Sequence, residues 1–160
     1  MDTLASGNSP EQPLEEAGDE GPPPNNRRGA RQVALQALYW NTSSPGDADV
    51  ALGELSQRSA FSSEVSGFAA DLVRRANVNG AELQRLIGAT ATHWEQDRIA
   101  RIDSLILRLA LAEILYFEDI PVRVSIDEAI ELAKIYSTEQ SYAFINGILD
   151  AVVRQRGLIA

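Results

Sequence analysis

The chain lacks several residue types that catalysis and covalent cross-linking require. Among its 160 residues there is no cysteine and only one histidine, His93. The absence of cysteine excludes disulfides, thiolate nucleophiles and cysteine-ligated zinc, and it favours a reducing compartment. No apolar run approaches the roughly 18 residues needed to cross a bilayer, and the N-terminus has no signal-peptide pattern. We therefore expect a cytoplasmic protein that makes no membrane contact.

Basic residues are absent from the N-terminal segment. Residues 1–26 contain six carboxylates and no lysine or arginine, whereas residues 27–160 contain 17 acidic and 14 basic residues. The segment is also rich in proline and glycine, and its apolar residues show no period, which predicts a disordered acidic tail over residues 1–26. We expect the folded domain to span residues 27–157. Its small negative charge means that nucleic acid could bind only at a local basic patch.

Helical periodicity is the main pattern in the rest of the chain. Apolar residues recur with a 3.6-residue period in about seven segments, and no convincing alternating strand is present, so we predict an all-α fold made of a compact helical bundle. The segment 98–118 is apolar nearly all round, which predicts a central buried helix that Pro121 ends. Three capping boxes are predicted to begin helices, and they are Asn79-x-x-Glu82, Ser125-x-x-Glu128 and Ser137-x-x-Gln140.

No constellation suited to catalysis is evident. We interpret His93 as a surface histidine, and Asp127, Glu128 and Glu131 as a solvated face at a helix start. Glu113 lies in the most apolar segment, where we expect it to form a structural ion pair. No glycine-rich phosphate loop is present, and helical spacing around Gly147 indicates a close-packing point inside a helix. We predict no enzymatic activity, no metal and no cofactor.

Arginines at the start of the first helix are the main candidate for binding. Arg27, Arg28 and Arg31 form the only tight basic cluster in the chain. A guanidinium binds phosphate with a planar fork and can stack on bases, which favours RNA contact. The alternative is a solvated helix start, although positive charge at a helix N-terminus opposes the helix dipole.

Further candidates lie towards the C-terminus. Arg101 belongs to a second basic set, but Asp97 four residues earlier could pair with it, which weakens an RNA role. Tyr136 and Phe144 flank the turn between the last two predicted helices. An exposed ring there could stack on an unpaired base, and the alternative for each ring is core packing.

Four sequence blocks, in order, resemble the NusB family of bacterial transcription antitermination factors. The resemblance spans about residues 27–153 and is weak over 41–93. The blocks are Arg27-Arg28-Gly29-Ala30-Arg31 with Ala34-Leu35-Gln36-Ala37-Leu38-Tyr39, Ile102-Asp103 with Ile106-Leu107-Arg108-Leu109-Ala110, Ser125-Ile126-Asp127-Glu128-Ala129-Ile130-Glu131-Leu132-Ala133-Lys134, and Phe144-Ile145-Asn146-Gly147-Ile148-Leu149-Asp150.

The resemblance implies a fold, partners and site residues. The fold would consist of two small helical bundles. The ligand would be boxA-type single-stranded RNA, bound together with the ribosomal protein NusE, and contact with other Nus factors and RNA polymerase would be indirect. The implied RNA-contacting residues are Arg27, Arg28, Arg31, Tyr136 and Phe144. The implied partner face includes Tyr39 and Asp103, with Arg108 supporting it from inside.

Two departures from the family pattern stand out. Ala143 occupies a position where family members often carry a base, so one phosphate contact is expected to be missing. The acidic tail is not a family feature, and we hypothesise that it screens the arginines in the absence of RNA. Deleting residues 1–24 should then tighten RNA binding at low salt, and unchanged affinity would reject the hypothesis.

Two rival functions follow from the same residues. A protein-only adaptor, or a self-associating homodimer, would bind its partner without preference for any RNA. NusB-like domains also occur fused to RNA cytosine methyltransferases, but the sequence shows no cofactor-binding domain. The protein-only adaptor is therefore the alternative to an RNA-binding antitermination factor.

Overall fold

The computed structural model describes residues 21–43, 48–92 and 99–158. These residues form seven α-helices and no β-strand, so the predicted all-α class is confirmed. The helices are α1 (Arg27–Ser43), α2 (Ala48–Arg58), α3 (Ser63–Val78), α4 (Gly80–Thr90), α5 (Arg101–Tyr116), α6 (Val122–Tyr136) and α7 (Glu139–Gln155).

The helices are distributed over two compact units. The first unit runs to Val73 and the second begins at Arg74, so the boundary falls within α3. In the first unit α1 packs against α2. The apolar stripe predicted for α1 is buried, because its 3.6-residue period places every member on one side of the helix. Its members are Ala30, Val33, Ala34, Ala37 and Leu38.

The segment before α1 is fixed to the first unit by two asparagines. The backbone N–H of Gly29 donates to Asn26 Oδ1 at 3.0 Å, and the backbone N–H of Ser62 donates to Asn25 Oδ1 at 3.0 Å. A Cβ at Gly29 would overlap the backbone of Pro24, so glycine is what permits this close approach. Residues 1–20, which hold the six tail carboxylates, lie outside the described residues, and their predicted disorder stays a prediction.

In the second unit α5 is the central helix, as its apolar pattern predicted. It packs against α4, α6 and α7, and α7 also packs against α4 and α6. Contact on several sides requires an apolar surface on several sides, which α5 supplies. Its buried apolar residues are Leu105, Ile106, Leu107, Leu109, Ala110, Leu111, Ala112 and Ile114.

The ends of α5 and α6 differ from the prediction. Helix α5 ends at Tyr116, where the N–H of Phe117 donates to the carbonyl of Glu113. Pro121 does not terminate α5. It is the N-cap residue of α6, with φ −60° and ψ 140°. A fixed φ near −65° and a missing N–H suit proline to the start of a helix.

None of the three predicted capping boxes forms, although the helix predicted after Asn79 does begin there. Asn79 does occupy the N-cap of α4, but its side-chain Nδ2 donates to the carbonyl of Arg75 at 2.9 Å. Ser125 lies inside α6, which begins at Val122, and Ser137 is the C-cap of α6. Thr138 is the N-cap of α7 and makes no side-chain capping bond.

Buried carboxylates explain why the two serines do not cap helices. Ser125 Oγ donates to Glu113 Oε2 at 2.7 Å, and Ser137 Oγ donates to Asp103 Oδ1 at 2.6 Å. A buried carboxylate without donors is far more costly than a helix N–H exposed to water. The tertiary partner therefore takes precedence over the local capping pattern.

Gly147 is correctly predicted within a helix, but not as a close-packing point. It lies in α7 and is exposed, and a Cβ built on it meets no atom within 4 Å.

Candidate nucleic-acid interface

The three arginines at the start of α1 occupy different environments. Arg27 and Arg28 are exposed, whereas Arg31 is only 6% exposed. Arg27 and Arg31 are four residues apart and so share one face of the helix. Their guanidinium carbons lie 4.5 Å and 5.4 Å from the centroid of the Phe68 ring in α3. Of the three residues predicted to contact phosphate, the two exposed ones have the more accessible charge.

Phe68 contacts both arginines, although it is not among the residues predicted to bind RNA. It is 8% exposed and lies on the buried stripe of α3. A ring face carries a negative quadrupole that attracts cations within about 6 Å of the centroid, so both guanidiniums lie in the attractive range. The sequence did contain a signal for this contact. Arg27 and Arg31 are spaced so that they share the side of α1 that carries its buried apolar stripe.

The second unit holds the other three residues predicted to contact RNA. Arg101, the first residue of α5, is exposed. Tyr136, the last residue of α6, is half-buried, and Phe144 in α7 is 8% exposed. Of the two rings, Tyr136 has the larger accessible surface, whereas Phe144 lies on the buried side of α7. Asp97, considered as a partner of Arg101, lies outside the described residues, as does His93.

Asp103 is the centre of a buried hydroxyl cluster. This side chain in the first turn of α5 is 6% exposed, and its Oδ1 and Oδ2 accept hydrogen bonds from Ser137 and Ser141, each at 2.6 Å. The two serine oxygens are 2.8 Å apart, and the Thr138 hydroxyl lies 3.2 Å from Ser141 Oγ. We call these four residues the Asp103 cluster. It ties the start of α5 to the junction of α6 and α7, and its partner-contact role stays a prediction.

Tyr39 and Arg108 complete the predicted partner residues. Tyr39 is half-buried near the end of α1, and its carbonyl accepts from the Thr42 hydroxyl at 2.6 Å. Arg108 in α5 has its Nε buried without a hydrogen-bond partner among the described residues. Burial lowers the pKa of the Arg108 guanidinium below its usual range. Arg108 is half-buried, and the supporting role that the resemblance implied stays a prediction.

The described residues contain no group of three or more histidine, cysteine, aspartate or glutamate side chains that could hold a metal ion. Within the same residues, no helix is both long and apolar enough to cross a membrane.

Comparison with known proteins decides the family. The sequence model of the NusB family matches residues 28–154. The chain belongs to the NusB family. It is 42% identical over 131 residues to the transcription antitermination protein NusB of Salinibacter ruber, covering 81% of each chain. It is 40% identical over 136 residues to that of Symbiobacterium thermophilum, covering 80% of this chain and 89% of the relative.

Solved NusB structures share the fold. NusB of T. maritima, at 34% identity, matches with a TM-score of 0.75 over 81% of this chain and 92% of its own. A crystal structure of the antitermination factors NusB and NusE in complex with double-stranded RNA matches at 24% identity with a TM-score of 0.72, over 81% of this chain and 96% of that one. The second likeness supports the NusB fold alone.

The NusB match begins within the arginine cluster at the start of α1. It begins at Arg28, so two members of the arginine cluster lie inside it, whereas Arg27 and the acidic segment precede it. Ala143, at the position where the resemblance predicts a basic residue in family members, is exposed on α7. The predicted absence of a basic side chain at that position would therefore affect the surface charge and leave the core unchanged.

Arg108 carries a prediction about stability in this NusB-family chain. Its Nη1 would be 3.2 Å from a Cβ at Gly80, so the guanidinium lies beside the N-terminus of α4, where the helix dipole disfavours positive charge. Arg108→Met removes this desolvated charge and the unpaired Nε while keeping the apolar stem. We expect unfolding to require about 1 kcal/mol more free energy, which raises Tm by about 2–4 °C.

Thermal unfolding of the full chain measures this effect. The matched control is Arg101→Met on the same helix, where the side chain is exposed and a change within about 0.5 kcal/mol is expected. A lower Tm for Arg108→Met than for the control would contradict the assignment of Arg108 as a poorly solvated, half-buried charge.

Proposed function

We propose that this NusB-family chain is a transcription antitermination factor that binds boxA-type single-stranded RNA together with NusE. It would act as a non-enzymatic adaptor in the cytoplasm and would reach other Nus factors and RNA polymerase through that assembly. The relatives at about 40% identity are named transcription antitermination proteins, and a NusB protein has been solved with NusE and RNA. The observation that carries the RNA part of the proposal is the exposed Arg27 guanidinium held over Phe68.

The proposed RNA contacts follow from exposure and charge. On the first unit, Arg27 and Arg28 would contact phosphate oxygens, with the buried Arg31 supporting them. On the second unit, Arg101 would contact phosphate and Tyr136 would stack on an unpaired base, whereas the buried Phe144 would have a supporting role. For three exposed arginines, log affinity should fall against log salt with a slope of about −2 for a single strand.

NusE would dock on a separate set of residues. Tyr39 would contact it directly from the first unit, and Arg108 would support contact residues of the second unit. Both oxygens of Asp103 already accept hydrogen bonds, so we propose that Asp103 contributes indirectly, by fixing the junction of α6 and α7. Because the proposed RNA contacts include only three exposed arginines, the partner should add basic surface and tighten RNA binding.

Fluorescence anisotropy tests the function directly. A labelled boxA-type RNA, a scrambled strand and a double-stranded RNA are each titrated with the full chain, with and without NusE. We expect preference for the boxA-type strand that increases when NusE is present. Arg27→Ala should weaken binding and reduce the salt slope by about 0.7, whereas Arg58→Ala, an exposed arginine of the same unit, should change neither.

Other outcomes would separate the alternatives. Equal binding of all three RNAs in the presence of NusE would contradict specific recognition. NusE binding without any RNA binding would indicate the protein-only adaptor, and concentration-dependent self-association that abolishes RNA binding would indicate the homodimer.

The acidic segment can be tested without disturbing the fold. All six of its carboxylates lie within residues 1–20, so deletion of these residues removes them and keeps Pro24 against Gly29. If the carboxylates screen the arginines, the truncated chain should bind RNA more tightly at about 50 mM salt and equally at about 500 mM salt, because the Debye length shortens. Unchanged affinity at low salt would reject screening.

A further inference from the structure

One aromatic ring faces two cations in the first unit. Phe68 lies 4.5 Å from the Arg27 guanidinium carbon and 5.4 Å from that of Arg31. We propose that Phe68 is a positioning residue for RNA binding, whose ring holds these guanidiniums in place before RNA arrives. The inference rests on the proposed function, since it assigns to Phe68 the ordering of side chains that would contact phosphate.

An aromatic ring suits this task better than a carboxylate. A carboxylate that oriented Arg27 would also neutralise it and would repel the phosphate that it should bind. The ring attracts the cation through its quadrupole and carries no net charge, so this contact orients the guanidinium and leaves its positive charge in place.

The Phe68 ring also lowers the electrostatic cost of placing arginines at the start of α1. Cations in the first turn of a helix are opposed by the helix dipole, and Arg27 is the first residue of α1. A negative ring face beneath the guanidiniums offsets part of that repulsion. Arg31 is buried and Arg27 is exposed, so the ring contacts one arginine within the fold and one at the surface.

Pre-ordering affects affinity through conformational entropy. A free arginine side chain loses rotamer freedom when it contacts phosphate, and this loss weakens binding. If Phe68 already restricts Arg27, the loss occurs during folding and does not recur when RNA binds. Weakening the ring's quadrupole should therefore weaken RNA binding, even where the ring's volume is retained.

Stepwise fluorination of Phe68 changes the quadrupole with little change in size. The full chain is prepared with 4-fluoro-, 3,5-difluoro- and 3,4,5-trifluorophenylalanine at position 68 and titrated with boxA-type RNA in the presence of NusE. We expect affinity to fall at each step, reaching about three- to tenfold for the trifluoro ring. The salt slope should stay the same, because Arg27 still contacts phosphate and only its ordering now occurs when RNA binds. Phe68→Tyr, which keeps an electron-rich face, should bind as the unmodified chain does.

The matched control is the same fluorinated series at Phe61, a half-buried ring of the same unit. RNA affinity should not change along that series. The positioning role would be overturned if RNA affinity also stayed constant along the series at Phe68. The proposed function would still stand if the chain kept its RNA preference and Arg27→Ala still weakened binding. The same loss of affinity along the series in chains that also carry Arg27→Ala would indicate a ring that does not act through Arg27, and would also overturn the positioning role. An unmodified chain that does not distinguish the RNAs would overturn both proposals.

Discussion

Replacing Asp103 with alanine is expected to lower the free energy of unfolding by about 3 kcal/mol. The carboxylate accepts two short hydrogen bonds, from Ser137 and Ser141, and each charge-assisted bond of this kind contributes about 1.5–3 kcal/mol. Its removal also leaves two serine hydroxyls without their acceptor. Tm should fall by roughly 6–12 °C in a chain of this size, as measured by scanning calorimetry.

Graded variants distinguish the hydrogen bonds from simple loss of volume. Asp103→Asn keeps the shape and one acceptor, so it should cost about 1 kcal/mol. Asp127→Ala, an exposed aspartate on α6, is the control and should change stability by less than about 0.5 kcal/mol. The double variant Asp103→Ala with Ser141→Ala should be less destabilised than the two single changes added together. Full additivity would mean that the Asp103 cluster does not act as a unit.

Replacing Gly29 with alanine is expected to release the segment that precedes α1. The new Cβ would overlap the backbone of Pro24, and backbone cannot yield as the tip of a side chain can. Residues 22–26 would have to move, which breaks the bond from the Gly29 N–H to Asn26 and the bond from the Ser62 N–H to Asn25. We expect the free energy of unfolding, measured by heat or denaturant, to fall by about 2 kcal/mol. The causes are the overlap and the loss of the hydrogen bond from the Gly29 N–H to Asn26.

Gly147→Ala is the matched control because it should change stability in the opposite direction. Gly147 is also inside a helix, but its Cβ would meet nothing within 4 Å. Alanine there should stabilise the chain by about 0.5–1 kcal/mol, since it restricts the unfolded chain and favours helix. If both variants changed the free energy of unfolding in the same direction, helix propensity would explain the result at Gly29, and its close approach to Pro24 would not.

The helices and their cores were predictable because periodicity is a local property that burial imposes everywhere. The stripe of α1 and the all-round apolar surface of α5 needed no knowledge of their neighbours. The capping boxes failed for the opposite reason. Ser125 and Ser137 are close in sequence to helix ends, but their hydroxyls bind carboxylates that lie 12 and 34 positions earlier.

The candidate site was predictable in residue type and less so in environment. The sequence identified the arginines, and the structure separated the exposed Arg27 and Arg28 from the buried Arg31. Phe68 was missed because an apolar stripe indicates burial without revealing what lies above a ring. The burial of Asp103 did have a signal, since positions 103, 107, 110 and 114 share one face of α5.

The Asp103 cluster also affects how this fold can be recombined. Helices α6 and α7 are continuous in sequence and would look like a natural block to exchange with a relative. The block is incomplete without residue 103, because the serines at 137 and 141 donate their hydrogen bonds to a carboxylate that lies outside it. A chimera that imports α6 and α7 from a relative with different hydroxyl positions should fold poorly unless position 103 is transferred with them.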